Sequence, residues 1–95
     1  MSNPTAAGRA RPVACFSVSA SAEPGVMPRV LEVFAKRGLV PAQWHSSVCA
    51  GARLEIDVQV IGLEAAPAAR LAGVLRQLVC VDTVLTAERP CAEGA

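Results

Sequence analysis

The sequence predicts an α+β fold of element order βαββαβ, with four antiparallel strands in one sheet and two helices on one face. Three observations carry this. Residues 14–20 and 53–61 alternate apolar and polar with the period of two that a half-buried strand requires. Residues 26–34 and 71–78 instead repeat their apolar side chains at helical spacing. Gly25, Gly38 and Gly51 fall between these segments, where the chain has to turn.

The first strand spans Ala14 to Ala20, with Phe16 and Val18 on one face and Ser17 and Ser19 on the other. Glu23-Pro24-Gly25 is a tight turn. Pro24 suits the first position of a helix, where its missing N–H costs nothing. Val26, Met27, Val30, Leu31 and Phe34 form that helix's apolar stripe, with Arg29, Glu32, Lys36 and Arg37 mostly off it. Pro28 fits only within a first turn, so the regular helix starts after Pro24. Lys36 and Arg37 complement the helix C-terminus, and Gly38 is the expected C′ residue.

Leu39 to Val48 reads as a second strand, weakened by Pro41 and therefore near a sheet edge at that point. Ala50-Gly51-Ala52 makes a hairpin turn. In Arg53 to Ile61, Leu54, Ile56, Val58 and Val60 face inward while Glu55, Asp57 and Gln59 face outward. Ala66 to Leu78 is the second helix, with Leu71, Val74, Leu75 and Leu78 on one face and Pro67 in its first turn. Val81 to Glu88 is the last strand. Together these elements make a ferredoxin-like βαββαβ sandwich over residues 13–88, between a flexible arm (1–12) and a flexible tail (89–95).

The 95 residues make one small domain, and a chain of that size buries only about 60–65% of its unfolded surface. Hydrophobic residues are 53% of the chain, and the mean hydropathy is +0.41. Phe16, Phe34 and Trp44 are its only aromatics, so the core is aliphatic. Such an apolar surplus in a short chain favours a homo-oligomer or a subunit. Nine basic and eight acidic residues lie scattered, with no basic stripe of the kind nucleic-acid binding needs. The first twelve residues lack the apolar region of a signal peptide, and no run approaches the roughly 20 apolar residues of a membrane span. Cys15, Cys49, Cys80 and Cys91 form no CxxC pair and read as reduced, small hydrophobes of a cytoplasmic protein.

Catalysis finds little support. His45 is the sole histidine, and no Asp or Glu lies near it in sequence to orient it. Ser17, Ser19 and Ser21 form the polar face of a strand, and no motif marks one as a nucleophile. No catalytic residue, metal ligand or cofactor is assigned. A metal-binding relative of this fold would carry CxxC where this chain has Glu23-Pro24-Gly25. An RNA-binding one would carry stacking aromatics where this chain has Ser17, Ser19, Glu55 and Asp57. Trp44 shares a strand face with Val48 and Val40, which favours a core position over an interface anchor. The turn after the first strand is left. There, helix N-terminal N–H groups beside a glycine suit a small anionic or zwitterionic ligand, although Pro-Gly also simply starts helices.

Glu23-Pro-Gly-Val-Met-Pro-Arg29, Val30-Leu-Glu-Val-Phe-Ala-Lys-Arg-Gly38 and Leu78-Val-Cys-Val81 together resemble the ACT domain, a regulatory βαββαβ module that binds amino acids. The likeness runs from about Ala14 to Glu88. Within that group, Arg29-Val-Leu-x-Val-x-x-x-Arg-Gly38 and Leu75-Arg-Gln-Leu-Val-x-Val81 look most like the short regulatory small subunit of acetolactate (acetohydroxyacid) synthase. The resemblance implies a non-catalytic subunit that binds and activates the thiamine-diphosphate-dependent large subunit in branched-chain amino acid biosynthesis. It also implies side-by-side homodimers through sheet edges, with an amino-acid effector at the interface. Carried over, Glu23, Pro24, Gly25 and Val26 fall on the effector turn, and Leu39 and Val40 on the segment facing it. Valine-sensitive small subunits tend to carry asparagines where this chain has Ala22 and Val40. Losing each amide leaves polar ends of a ligand desolvated, at about 1–3 kcal/mol, which argues against valine feedback. The alternative is a free-standing ACT dimer that binds an amino acid and regulates another protein.

Overall fold

The computed structural model describes residues 11–90. Six elements follow one another: β1 (Pro12–Ser21), α1 (Val26–Ala35), β2 (Gln43–Cys49), β3 (Arg53–Ile61), α2 (Ala65–Arg76) and β4 (Val81–Pro90). All neighbouring strands pair antiparallel in the order β2-β3-β1-β4, so β2 and β4 are the edges. This is the βαββαβ sandwich that the alternating and helical segments predict.

Alternation decides which face is covered. Phe16 and Val18 of β1 and Leu54, Ile56 and Val58 of β3 are buried. They share one cluster with Val30 and Phe34 of α1 and Leu71 and Leu75 of α2, which puts both helices on the same face. The Phe16 and Phe34 rings meet edge to face with centroids 5.4 Å apart, the arrangement their quadrupoles favour. The opposite face is polar and paired. Ser17 Oγ donates to Asp57 Oδ1 at 3.0 Å, and Ser19 Oγ to Glu55 Oε2 at 2.9 Å. Arg53 donates to Asp82 Oδ2 at 2.6 Å and also reaches Ser19 Oγ.

Several boundaries move for identifiable reasons. Pro24 stands in the turn before α1, and the helix proper starts at Val26 with Gly25 as its N-cap. Pro28 then occupies the third helical position, where a missing N–H breaks no intrahelical bond. At the other end, Leu39 N–H bonds Phe34 C=O at 3.0 Å and Gly38 N–H bonds Ala35 C=O at 2.9 Å. That is a Schellman closure, with Gly38 at φ +71° as the C′ residue.

The second strand starts at Gln43, not at Leu39 as the sequence suggests. Leu39 is committed to closing α1, Pro41 has no N–H to give, and the pairing begins only as Ala42 N–H reaches Gln59 C=O at 2.7 Å. The second helix runs Ala65–Arg76, and Leu78 follows it half-buried. β1 takes in Pro12 and β4 runs through residues 89 and 90, beyond the 13–88 expected for the domain. The rest of the expected arm and tail, Cys91 included, lies outside the described residues.

Candidate functional site

The turn into α1 is pinned by backbone bonds from two neighbouring loops. Ser21 N–H reaches Cys80 C=O at 3.2 Å and Ala22 N–H reaches Ala52 C=O at 2.9 Å. Val26 N–H then closes the Glu23–Val26 turn on Glu23 C=O at 3.1 Å. Gly25 sits at φ −82°, ψ −4°, a conformation open to any residue. A Cβ added there would meet only the Arg29 guanidinium, at 3.8 Å. The fold therefore sets no demand for glycine at this position.

The start of α1 presents open backbone donors beside Glu23 and Arg29. No side chain caps α1, and its first turn holds no acidic residue. Among the described residues, the Gly25 and Met27 N–H groups have no backbone acceptor. The positive end of the helix is thus available to an anion, and the exposed Arg29 guanidinium adds to it. Sequence reading left Arg29 out, although its place four residues after Gly25, one helical turn on, was the signal.

Leu39 and Val40 lie elsewhere. Leu39 is half-buried behind the end of α1, while Val40 is 82% exposed. The ten residues of α1 separate them from the turn, which at 1.5 Å per residue is about 15 Å. Within one chain, then, the structure brings Glu23, Pro24, Gly25 and Val26 together and leaves Leu39 and Val40 at the far end.

Between these two ends runs an apolar groove. Met27, Pro28 and Leu31 of α1 and Pro41 and Trp44 on the β2 side line a cavity of about 550 Å³. Ser46 Oγ donates to Met27 Sδ at 3.4 Å, which ties the helix to the strand across it. Met27 and Leu31 belong to the stripe read from sequence, yet they are 38% and 44% exposed because β2 is the edge and nothing lies beyond it. Val33 takes the buried place instead. Trp44 packs partly on the core and walls the groove, and Val48, on its face of β2, is 71% exposed. A solely core role for Trp44 is therefore corrected.

His45 has a carboxylate opposite it after all: it pairs in register with Asp57, which pairs in register with Ser17. The order is histidine, aspartate, serine, with the carboxylate between the other two. A base would have to lie next to the nucleophile, so this row does not assemble an activated serine. Among the described residues no group of three His, Cys, Asp or Glu is placed to hold a metal ion.

An antiparallel sheet of order β2-β3-β1-β4 with both helices on one face, and an uncapped helix start at one end, defines a ferredoxin-like βαββαβ module. A family model described as an ACT-like domain matches residues 7–91. The chain belongs to the ACT-like domain family. No curated protein matches the chain. Solved structures similar to it include the ACT domain of GTP pyrophosphokinase from Chlorobium tepidum, at 13% identity and TM-score 0.67, over 79% of this chain and 96% of that one. The C-terminal domain of the MgtC protein from Mycobacterium tuberculosis matches at 13% identity and TM-score 0.67, over 90% and 96%. The regulatory subunit of aspartate kinase from Thermus thermophilus matches at 16% identity and TM-score 0.63, over 84% of this chain and 51% of that one. At these identities the likeness is one of fold.

Proposed function

We propose that the chain is a non-catalytic regulatory subunit that acts as a pair of copies on a catalytic partner. The observation that carries this is the split of the candidate effector residues between the two ends of α1, beside an uncovered edge strand. Two β2 edges joined about a two-fold axis run antiparallel. That operation sets the α1 entry turn of one copy on the side of Leu39 and Val40 of the other. The apolar groove of each copy then supplies contact area beside the join.

The partner follows from the segments Arg29–Gly38 and Leu75–Val81, whose likeness favours the large subunit of acetolactate synthase. Ala22 supports the absence of valine feedback: it has no side-chain amide, and its N–H is already bonded to Ala52 C=O. Co-expression with an acetolactate synthase large subunit tests the proposal by gel filtration and by rate. Co-elution with raised activity is expected. Separate elution with unchanged activity overturns it.

A second reading, a free-standing dimer that senses an amino acid, is favoured by the open N–H groups of α1 and by Arg29. A thermal-shift screen of the common amino acids separates the two. A shift with one of them and no effect on the large subunit selects sensing, and a flat response rejects it.

A further inference from the structure

Another cavity among the described residues lies away from the entry turn, where the end of α1 meets the start of α2. It has a volume of about 450 Å³, within the range of small-molecule sites. Leu39, Leu63, Leu71 and Val74 give it an apolar lining, and Leu71 is fully buried there. Arg37, in the turn that closes α1, and Arg70 of α2 line it with exposed side chains. The groove between α1 and β2, by contrast, contains no charged group.

Among the described residues, neither guanidinium is neutralised. The ion pairs among the described residues are Lys36 with Glu32 and Arg53 with Asp82. Glu64, which follows Leu63 beside the cavity, pairs with neither arginine. Arg37 is also held in place: its Nη1 donates to Val33 C=O at 3.1 Å, which fixes the guanidinium at the end of α1 and, among the described residues, leaves its other donors without a protein acceptor. Two unpaired cations at one cleft repel each other, and a carboxylate between them would replace that repulsion with charge-assisted hydrogen bonds.

We propose that this cavity binds a short aliphatic carboxylate, its hydrocarbon tail against Leu39, Leu63, Leu71 and Val74 and its head between Arg37 and Arg70. The site is complete within one chain and does not include the Glu23–Val26 turn. It shares Leu39 with the paired effector reading, and Leu63, Arg70 and Leu71, which that reading does not use, tell the two apart.

Isocaproate, titrated into the full chain and followed through the backbone amide NMR spectrum, is the probe. Shifts at Leu39, Leu63, Arg70 and Leu71, with Glu23, Gly25 and Val26 unmoved, are expected. The neutral isocaproamide should bind about tenfold more weakly, and Arg70→Gln should weaken isocaproate by about the same factor. Arg37→Gln removes a bond that closes α1, so Arg37→Lys, which keeps the charge, serves as the folded control and should retain part of the affinity. Equal binding of acid and amide, unchanged affinity in Arg70→Gln, shifts centred on the entry turn, or no saturable shifts would each overturn the proposal.

Discussion

Gly25→Ala separates what the fold needs from what a ligand needs. The native backbone at Gly25 is right-handed, at φ −82° and ψ −4°, so alanine adopts it without strain. The new methyl would touch only the far end of the Arg29 side chain, at an ordinary 3.8 Å. Fewer unfolded conformations then favour the folded state by about 0.4–1 kcal/mol. For a domain of this size that raises the melting temperature by roughly 2–8 °C. Gly38→Ala is the paired control. Its φ of +71° is one that L-residues avoid, and there the same change should cost about 1–2 kcal/mol. Urea unfolding of both variants reads these opposite signs. Binding should go the other way for Gly25→Ala, because the methyl is carried by the residue with the open Gly25 N–H and stands against the Arg29 guanidinium. Affinity for any amino acid that shifts the native protein should fall about tenfold, the cost of losing one charge-assisted hydrogen bond. A variant destabilised by more than about 1 kcal/mol would refute the structural half of the reasoning. Undiminished ligand binding would refute the other half.

Phe34→Ala probes the core. The ring is fully buried and meets Phe16 edge to face, so its loss should cost about 3–5 kcal/mol, roughly a fifth or more of the stability of a domain this small. A urea-derived loss below about 1.5 kcal/mol would mean the core closes around the gap. Val48→Lys places a charge on the exposed edge strand β2. Sedimentation should show self-association weakened by about tenfold with the circular dichroism unchanged, since edge lysines block strand addition. Unaltered association would move the interface to another surface.

The parts of the fold that could be read from sequence are those whose burial follows a simple period. β1 and β3 are covered on one face only, so their alternation survives in the sequence and their bounds shift by two residues or fewer. β2 is different. Its face toward the helices carries Trp44, Ser46 and Val48, and α1 covers that face only in part, so no clean alternation records it. The stripe of α1 is wider than the surface it covers, and only the sheet order reveals that Met27 and Leu31 overhang an edge. The entry turn is legible because Pro and Gly act locally. The grooves are not, since each is made by residues from segments that meet only after folding. His45 and Asp57 illustrate the same limit: they are distant in the chain and become neighbours through the β2–β3 register alone.

The contrast between the faces bears on how two copies would join. Stacking the open faces of two sheets would bury Glu55, Asp57, Arg53 and Asp82, whose hydrogen bonds lie within the face and leave the rest of each charge to water. Desolvating such groups costs several kcal/mol per ion unless new partners are perfectly placed. The β4 edge mixes the exposed Leu85 with exposed Asp82, Thr83, Thr86 and Glu88. The β2 edge exposes Val48 and adjoins the groove of Met27, Leu31 and Trp44, where removing water is favourable at about 25 cal/mol per Å². Under the proposed function, the groove beside β2 favours side-by-side pairing through that edge. That pairing has a consequence for ligand binding. If the turn of one copy and Leu39 and Val40 of the other make one site, the ligand binds the pair and not the single chain. By linkage, such a ligand must then strengthen association, and its apparent affinity must rise with protein concentration. A ligand that bound equally well at all protein concentrations would place its site within one chain.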